Sequence, residues 1–165
     1  MTGDRLRQPR GSEAAMKENS ILIADKDTRF LQQVAEYFTC AGYQVETTDS
    51  AVHVICSILQ KQTPVVLLGG DFDKKINMLQ LLQLLKKCNR HLAVVVVSDE
   101  ASLPMVRSIR REGIFYHALR PVTPTDREEI RQAVECAFTS LKGLGEDRAV
   151  RRAPSRQGRE EEPCQ

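Results

Sequence analysis

The feature that most constrains this chain is a series of short, almost continuously apolar runs. Ser20–Ala24 reads SILIA, Val65–Leu68 reads VVLL and Leu92–Val97 reads LAVVVV. A strand with one exposed face alternates apolar and polar residues, whereas a strand that is apolar throughout is covered on both faces. The runs therefore predict a parallel sheet with helices packed above and below it.

Segments of helical period separate these runs, and together they form five strand–helix units. The first helical segment repeats apolar residues at Phe30, Val34 and Phe38, and Tyr43–Thr47 and Ile114–Leu119 supply the remaining strands. Because crossovers between parallel strands are right-handed, the carboxyl ends of all the strands lie on one rim of the sheet. Such sheets bind their ligands at this rim, so the residues that follow each strand are candidate functional residues.

The two ends of the chain differ from its middle. Residues 1–19 and 143–165 mix charge with Gly and Pro and carry too few aliphatic residues for a core. They predict disordered tails around one domain at residues 20–142, and the second tail can also be read as a truncated linker.

Charge and composition exclude several classes of protein. The 24 basic and 22 acidic residues are interleaved, so nucleic acid is not favoured as a partner. No apolar run approaches the roughly 20 residues of a membrane span, and the N-terminus lacks the apolar centre of a secretory signal. The cysteines are too widely spaced for a redox pair or a zinc knuckle, and we expect buried, reduced thiols at Cys40, Cys56, Cys88 and Cys136. The composition predicts a soluble cytoplasmic protein.

Candidate rim residues follow four of the predicted strands. They are Asp25, Lys26 and Asp27 after the first strand, Gly70, Asp71 and Asp73 after the third, Ser98 and Asp99 after the fourth, and Arg120 and Pro121 after the fifth.

The order and spacing of ILIADKDTRFL, PVVLLGG, VVVVSDE and GIFYHALRPVTP resemble the receiver domain of two-component response regulators. The resemblance implies a flavodoxin-like (βα)5 sandwich with strand order 2-1-3-4-5. In that family an acidic pair after the first strand binds Mg²⁺ together with an acceptor Asp, which ends the third strand. A Ser or Thr after the fourth strand and a Lys before a Pro after the fifth contact the phosphoryl group.

Carried onto this chain, the resemblance leaves a degenerate site. Lys26 takes the second place of the acidic pair, beside Asp25 and Asp27, and Gly70 takes the place of the acceptor. The phosphate-contact positions become Ser98 and Arg120 before Pro121, and the aromatic switch position becomes His117.

These replacements remove the chemistry of the family. Glycine has no side chain with which to accept a phosphoryl group, and Mg²⁺ requires hard oxygen ligands. With Asp25, Lys26 and Arg120 as the remaining charges, the site sums to about +1, and a second cation roughly 4 Å from a divalent metal costs on the order of 2 kcal/mol in water. We therefore expect no cofactor, no Mg²⁺ and no enzymatic activity. Lys26 either pairs with Asp25 or points to solvent, and the sequence leaves both open.

The resulting prediction is a phosphorylation-independent pseudo-receiver that binds another protein, or a second copy of itself, in signal transduction. The family resemblance implies a binding face on the fourth helix, fifth strand and fifth helix, which here includes Met105, Arg107, Arg127 and Arg131. Two alternatives stay open. One is a working receiver phosphorylated on Asp71 or Asp73, and the other is a small-molecule binder on the same fold.

Overall fold

The computed structural model of the chain describes residues 19–60, 63–70, 72, 75–99 and 102–152, with side chains in the last helix described as far as residue 144. The strands are β1 (Ser20–Ala24), β2 (Gln44–Thr48), β3 (Val65–Gly69), β4 (Ala93–Ser98) and β5 (Tyr116–Leu119). The helices are α1 (Thr28–Cys40), α2 (Ala51–Leu59), α3 (Met78–Cys88), α4 (Leu103–Arg111) and α5 (Pro124–Arg152).

All strand pairs are parallel, and the sheet order is β2-β1-β3-β4-β5. The register pairs Ala24 with Leu68 and Gly69 with Val97, so the carboxyl ends of the central strands lie side by side. The predicted flavodoxin-like (βα)5 fold and its strand order are confirmed.

Every residue of β3 and β4 is buried, and the core lies in two layers, one on each face of these strands. Alternate residues of these strands, such as Val66 and Val94, pack against α2 and α3. Their neighbours, such as Leu67 and Val95, pack against α1 and α5 on the other face. A strand between two helical layers must be apolar at consecutive positions, which explains the runs in the sequence.

The last helix continues further than the sequence indicated. α5 runs to Arg152, whereas we expected regular structure to end at residue 142. Gly143 has no neighbouring atom within 4 Å of where a Cβ would lie, and a glycine costs a helix only about 1 kcal/mol relative to alanine. The helix-favouring Lys, Leu, Glu and Arg residues around it offset that cost. The predicted tails at 1–18 and 153–165 lie outside the described residues.

The expectation of buried thiols is wrong for three of the cysteines. Cys40, Cys56 and Cys136 are exposed and Cys88 is half-buried, because helical spacing places them away from the apolar stripe of each helix. Cys164 lies outside the described residues. Among the described helices, none is long and apolar enough to cross a membrane.

Candidate functional site

The rim of the sheet gathers charged residues from three loops around one guanidinium group. Asp25 and Asp27 follow β1, Asp99 follows β4 and Arg120 follows β5. We call these four residues the rim cluster.

Arg120 binds the three carboxylates of the rim cluster. Its Nη2 atom donates to Asp25 Oδ2 at 2.9 Å and its Nη1 atom donates to Asp27 Oδ2 at 3.5 Å. Its Nε atom lies 2.8 Å from Asp99 Oδ1, an ion-pair distance whose angles do not suit a hydrogen bond. The guanidinium group also lies over the ring of Phe30, with 4.4 Å between its carbon and the ring centroid.

This arrangement is partly shielded from solvent. The side chain of Asp25 is 5% exposed and that of Arg120 is 22% exposed. Asp25 Oδ1 accepts a second hydrogen bond, from the backbone N–H of Asp27 at 2.8 Å. Ion pairs that lie partly out of water and carry hydrogen bonds hold their geometry better than exposed pairs do.

Lys26 does not take part in this arrangement. Its side chain is exposed, and the cation that pairs with Asp25 is Arg120. Of the two possibilities that the sequence left open for Lys26, the structure contains the solvent-facing one.

The end of β3 lies against the same cluster. A Cβ atom on Gly69 would lie 2.2 Å from Asp25 Oδ2, whereas one on Gly70 would lie 2.7 Å from the Cβ of Ser98. Because β3 pairs Leu68 with Ala24, Gly69 is level with Asp25, and a shift of one residue reverses the side-chain direction in a strand. Gly69, one residue before the position that we expected, is therefore the β3 residue that faces the carboxylate.

Other predicted site residues are only partly placed by the structure. Asp71 and Asp73 lie outside the described residues, and Pro121 is half-buried after β5.

Ser98 and His117 form a second link between β4 and β5. Ser98 is buried, and its Oγ atom lies 2.9 Å from His117 Nε2, within hydrogen-bonding distance. Burial lowers the pKa of His117, and the positive charge of Arg110 lowers it further. The neutral imidazole is therefore the form that the folded state favours.

The four residues of the predicted binding face do not lie together on one surface. Arg107 is exposed on α4, while Met105 is half-buried and lines a cleft with Gly70. Arg127 is half-buried on α5.

Arg131 lies on a different side of the molecule. It binds Glu128 and Glu135 on its own helix, and Tyr37 of α1 donates to the same Glu128 carboxylate at 2.8 Å. These bonds lower the pKa of Glu128 to about 2, chiefly through Arg131. Arg131 therefore belongs to the contact between α1 and α5.

An apolar and basic surface along β5 was not predicted from the sequence. It consists of Leu103 and Leu119, which are 71% and 60% exposed, together with Tyr116, Arg107 and Arg110, and we call it the β5 surface. The charge of Arg110 on α4 acts on Tyr116 and His117 of β5, so this part of α4 lies near the strand. Apolar residues in the sequence fit a core equally well, and only the position of β5 at the sheet edge exposes them.

Solved structures with a similar fold include response regulator receiver domains. A receiver domain protein from Methanospirillum hungatei JF-1 is 23% identical, with 74% of this chain and 98% of that chain covered and a TM-score of 0.65. A receiver domain protein from Clostridium thermocellum is 23% identical, with 76% and 98% covered and a TM-score of 0.68. The chemotaxis protein CheY4 of Vibrio cholerae is 15% identical, with 70% and 97% covered and a TM-score of 0.62.

No family model matches the chain, and no curated protein is significantly similar to it in sequence. At these identities the structural matches define the fold, which is that of a receiver domain.

The contact between Gly69 and Asp25 predicts a specific coupling. Gly69→Ala forces the Asp25 carboxylate away from Arg120, so we expect a loss of about 1 to 3 kcal/mol in the free energy of unfolding. In an Asp25→Ala background the obstructing carboxylate is gone, and the loss falls below about 1 kcal/mol. Urea denaturation of the four variants measures the coupling.

Gly143→Ala is the matched control, because no atom lies within 4 Å of the added methyl group. It raises the stability by about 0.5 to 1 kcal/mol through helix propensity. An equal loss from Gly69→Ala with and without Asp25 contradicts the geometry.

The lowered pKa of His117 predicts a pH dependence of stability. Between the unfolded pKa of about 6.5 and the lower folded pKa, the unfolded chain binds more protons, so stability falls as the pH falls. The slope stays below about 1.4 kcal/mol per pH unit for a single group. We expect the wild type to lose stability relative to His117→Gln from about pH 7 to about pH 5.5, measured by urea denaturation. Parallel pH curves for the two proteins contradict this expectation.

Proposed function

We propose that this chain is a phosphorylation-independent pseudo-receiver that binds a protein partner in cytoplasmic signal transduction. The observation that carries the proposal is the Arg120 guanidinium, which occupies the space between Asp25, Asp27 and Asp99. The loops after β1, β4 and β5 are where a working receiver performs its chemistry, and the location of Arg120 among them supports the proposal.

Phosphoryl transfer is disfavoured because the described end of β3 has no carboxylate to accept the group, and because the carboxylate of Asp25 fills the space that such a side chain would need. Neither Gly69 nor Gly70 offers a carboxylate, and the Asp25 carboxylate occupies the side-chain space of Gly69. A nucleophilic carboxylate and a cation beside the transferred oxygens are the minimum that this chemistry needs.

Mg²⁺ does not fit the rim as it is arranged. One oxygen of each carboxylate already contacts Arg120, so an ion bound between the three carboxylates would have to displace the guanidinium group. Asp27 and Asp99 make the local charge more negative than the sequence suggested, so the expected repulsion of a metal by net charge no longer holds. Mg²⁺ is disfavoured instead because the guanidinium group of Arg120 occupies the space between the carboxylates.

The same contacts favour a constant binding surface. Arg120 ties the end of β5 to the loops after β1 and β4, and His117 ties the middle of β5 to Ser98. The exposed residues of the β5 surface lie on or beside this strand. With no phosphoryl group to rearrange these contacts, the surface is presented to a partner in one arrangement.

We expect no phosphoryl adduct after incubation with acetyl phosphate and Mg²⁺, because no described rim carboxylate is both free and in the acceptor position. Intact-mass analysis measures the adduct, and a working receiver in the same reaction is the positive control. An adduct that maps to Asp71 or Asp73 supports the working-receiver alternative and contradicts the proposal.

Leu119→Glu should abolish partner capture or self-association, because it places a charge on an exposed apolar residue of the β5 surface. Leu59→Glu on α2 is the matched control, since Leu59 is 59% exposed and Leu119 is 60% exposed. Both variants should keep nearly the thermal stability of the wild type, as surface substitutions usually do. Quantitative pull-down and sedimentation velocity provide the readouts. Equal loss of binding in both variants, or in neither, places the working surface elsewhere.

A further inference from the structure

A basic cleft lies at the edge of the sheet opposite the rim. It has a volume of about 240 Å³ and is bounded by the end of α3, the start of β4, the turn before β5 and the middle of α5. The residues that matter here are Lys86, Arg90, His91, Phe115, Leu141 and Leu144, and we call this site the basal cleft.

Lys86 carries a half-buried ammonium group that has no counter-ion among the described residues. Its Nζ atom donates to the backbone oxygen of Leu92 at 2.7 Å, and it forms no ion pair with the described residues. Burial lowers the pKa of this group, with no carboxylate to raise it again. A cation in such surroundings is costly unless an anion pairs with it.

The remaining walls of the basal cleft combine basic and apolar groups. None of the described residues that line it is acidic. Arg90 Nε donates to His91 Nε2 at 3.4 Å, which places a second cation beside the cleft. Phe115 is 38% exposed and Leu144 is 48% exposed, so apolar surface remains open next to the charges.

The turn before β5 forms one wall of the cleft beside Lys86. Gly113 has a φ of +77°, a conformation that residues other than glycine rarely adopt. A Cβ atom at this position would lie 3.9 Å from Lys86 Cε, an ordinary contact distance, so the turn lies close to the stem of the lysine side chain.

We propose that the basal cleft binds an organic carboxylate, with the carboxylate on Lys86 and Arg90 and the apolar part on Phe115 and Leu141. A monoanion with an apolar part suits a cleft in which a half-buried ammonium group lies beside apolar side chains. Inorganic phosphate is more strongly hydrated and would lose more on entering such surroundings. The inference does not depend on the function proposed for the rim.

Two sources can supply this carboxylate. One is a free organic acid, and the other is a glutamate side chain of residues 160–162 of this chain, which follow α5. Both present the same chemistry to Lys86, and variants of the chain distinguish them.

The test is an NMR titration of the full-length chain with hexanoate, hexan-1-ol and inorganic phosphate. We expect saturable shifts of the Lys86, Phe115 and Leu141 amides with hexanoate, and none with the alcohol or with phosphate. Lys86→Met should weaken hexanoate binding at least tenfold, whereas Lys87→Met, an exposed neighbour on the same helix, should leave it unchanged. Arg90→Gln provides a second probe that leaves the buried hydrogen bond of Lys86 intact, and we expect it to weaken binding several-fold.

The source is identified by replacing Glu160, Glu161 and Glu162 together with glutamine. Tighter hexanoate binding in this variant means that the chain's own glutamates compete for the cleft, and unchanged binding points to a free acid. Either result supports a carboxylate site. Equal shifts with hexan-1-ol, or equal hexanoate affinity in the Lys86, Lys87 and Arg90 variants, overturn the proposal.

Discussion

The contact between one guanidinium group and three carboxylates determines how the rim of this protein is built. Two like charges about 4 Å apart repel by roughly 1 kcal/mol in water and by roughly 4 kcal/mol near a protein surface. A cation among Asp25, Asp27 and Asp99 offsets their mutual repulsion, and Arg120 is that cation, although Asp27 and Asp99 are 52% and 70% exposed and water also screens them. Because Arg120 follows β5, the counter-ion is covalently part of the sheet. A diffusible metal ion can leave a site or rearrange it, whereas this cation stays at the end of its strand.

The glycines at the end of β3 and the contact between Asp25 and Arg120 depend on each other. The Asp25 carboxylate that Arg120 holds lies in the side-chain space of Gly69. Any larger residue at that position would compete with the carboxylate for space and would weaken its bond to Arg120. A carboxylate at the end of β3 therefore cannot be introduced without disturbing the ion pair between Asp25 and Arg120. Restoring a carboxylate to β3 requires a different partner for Arg120 as well.

Much of the fold could be predicted from the sequence, since burial on both faces of a parallel strand leaves an unmistakable apolar run, as in Ala93–Ser98. The rim was harder, because the orientation of a side chain depends on register, and an error of one residue separates Gly70 from Gly69. Lys26 is adjacent to Asp25 in sequence, but the cation that reaches Asp25 is Arg120, 95 residues away. The exposure of three cysteines depends on which helical face meets the sheet. The length of α5 depends on helix-favouring residues that follow Gly143. The register of β3 and the contact between Asp25 and Arg120 do not follow from local residue patterns.

The balance of charges also explains why binding is expected away from the rim. At the rim, Arg120 is already surrounded by carboxylates and by Phe30. Arg107 and Arg110 on α4 and Lys86 on α3 form no ion pair with the described residues, and apolar side chains are exposed beside them. A cation next to exposed apolar surface gains from an anionic, partly apolar ligand, because both the charge and the surface are then covered. The fold thus keeps its most complete charge pairing at the rim, whereas cations on α4 beside β5 and at the opposite edge of the sheet have no ion pair among the residues that the structure describes.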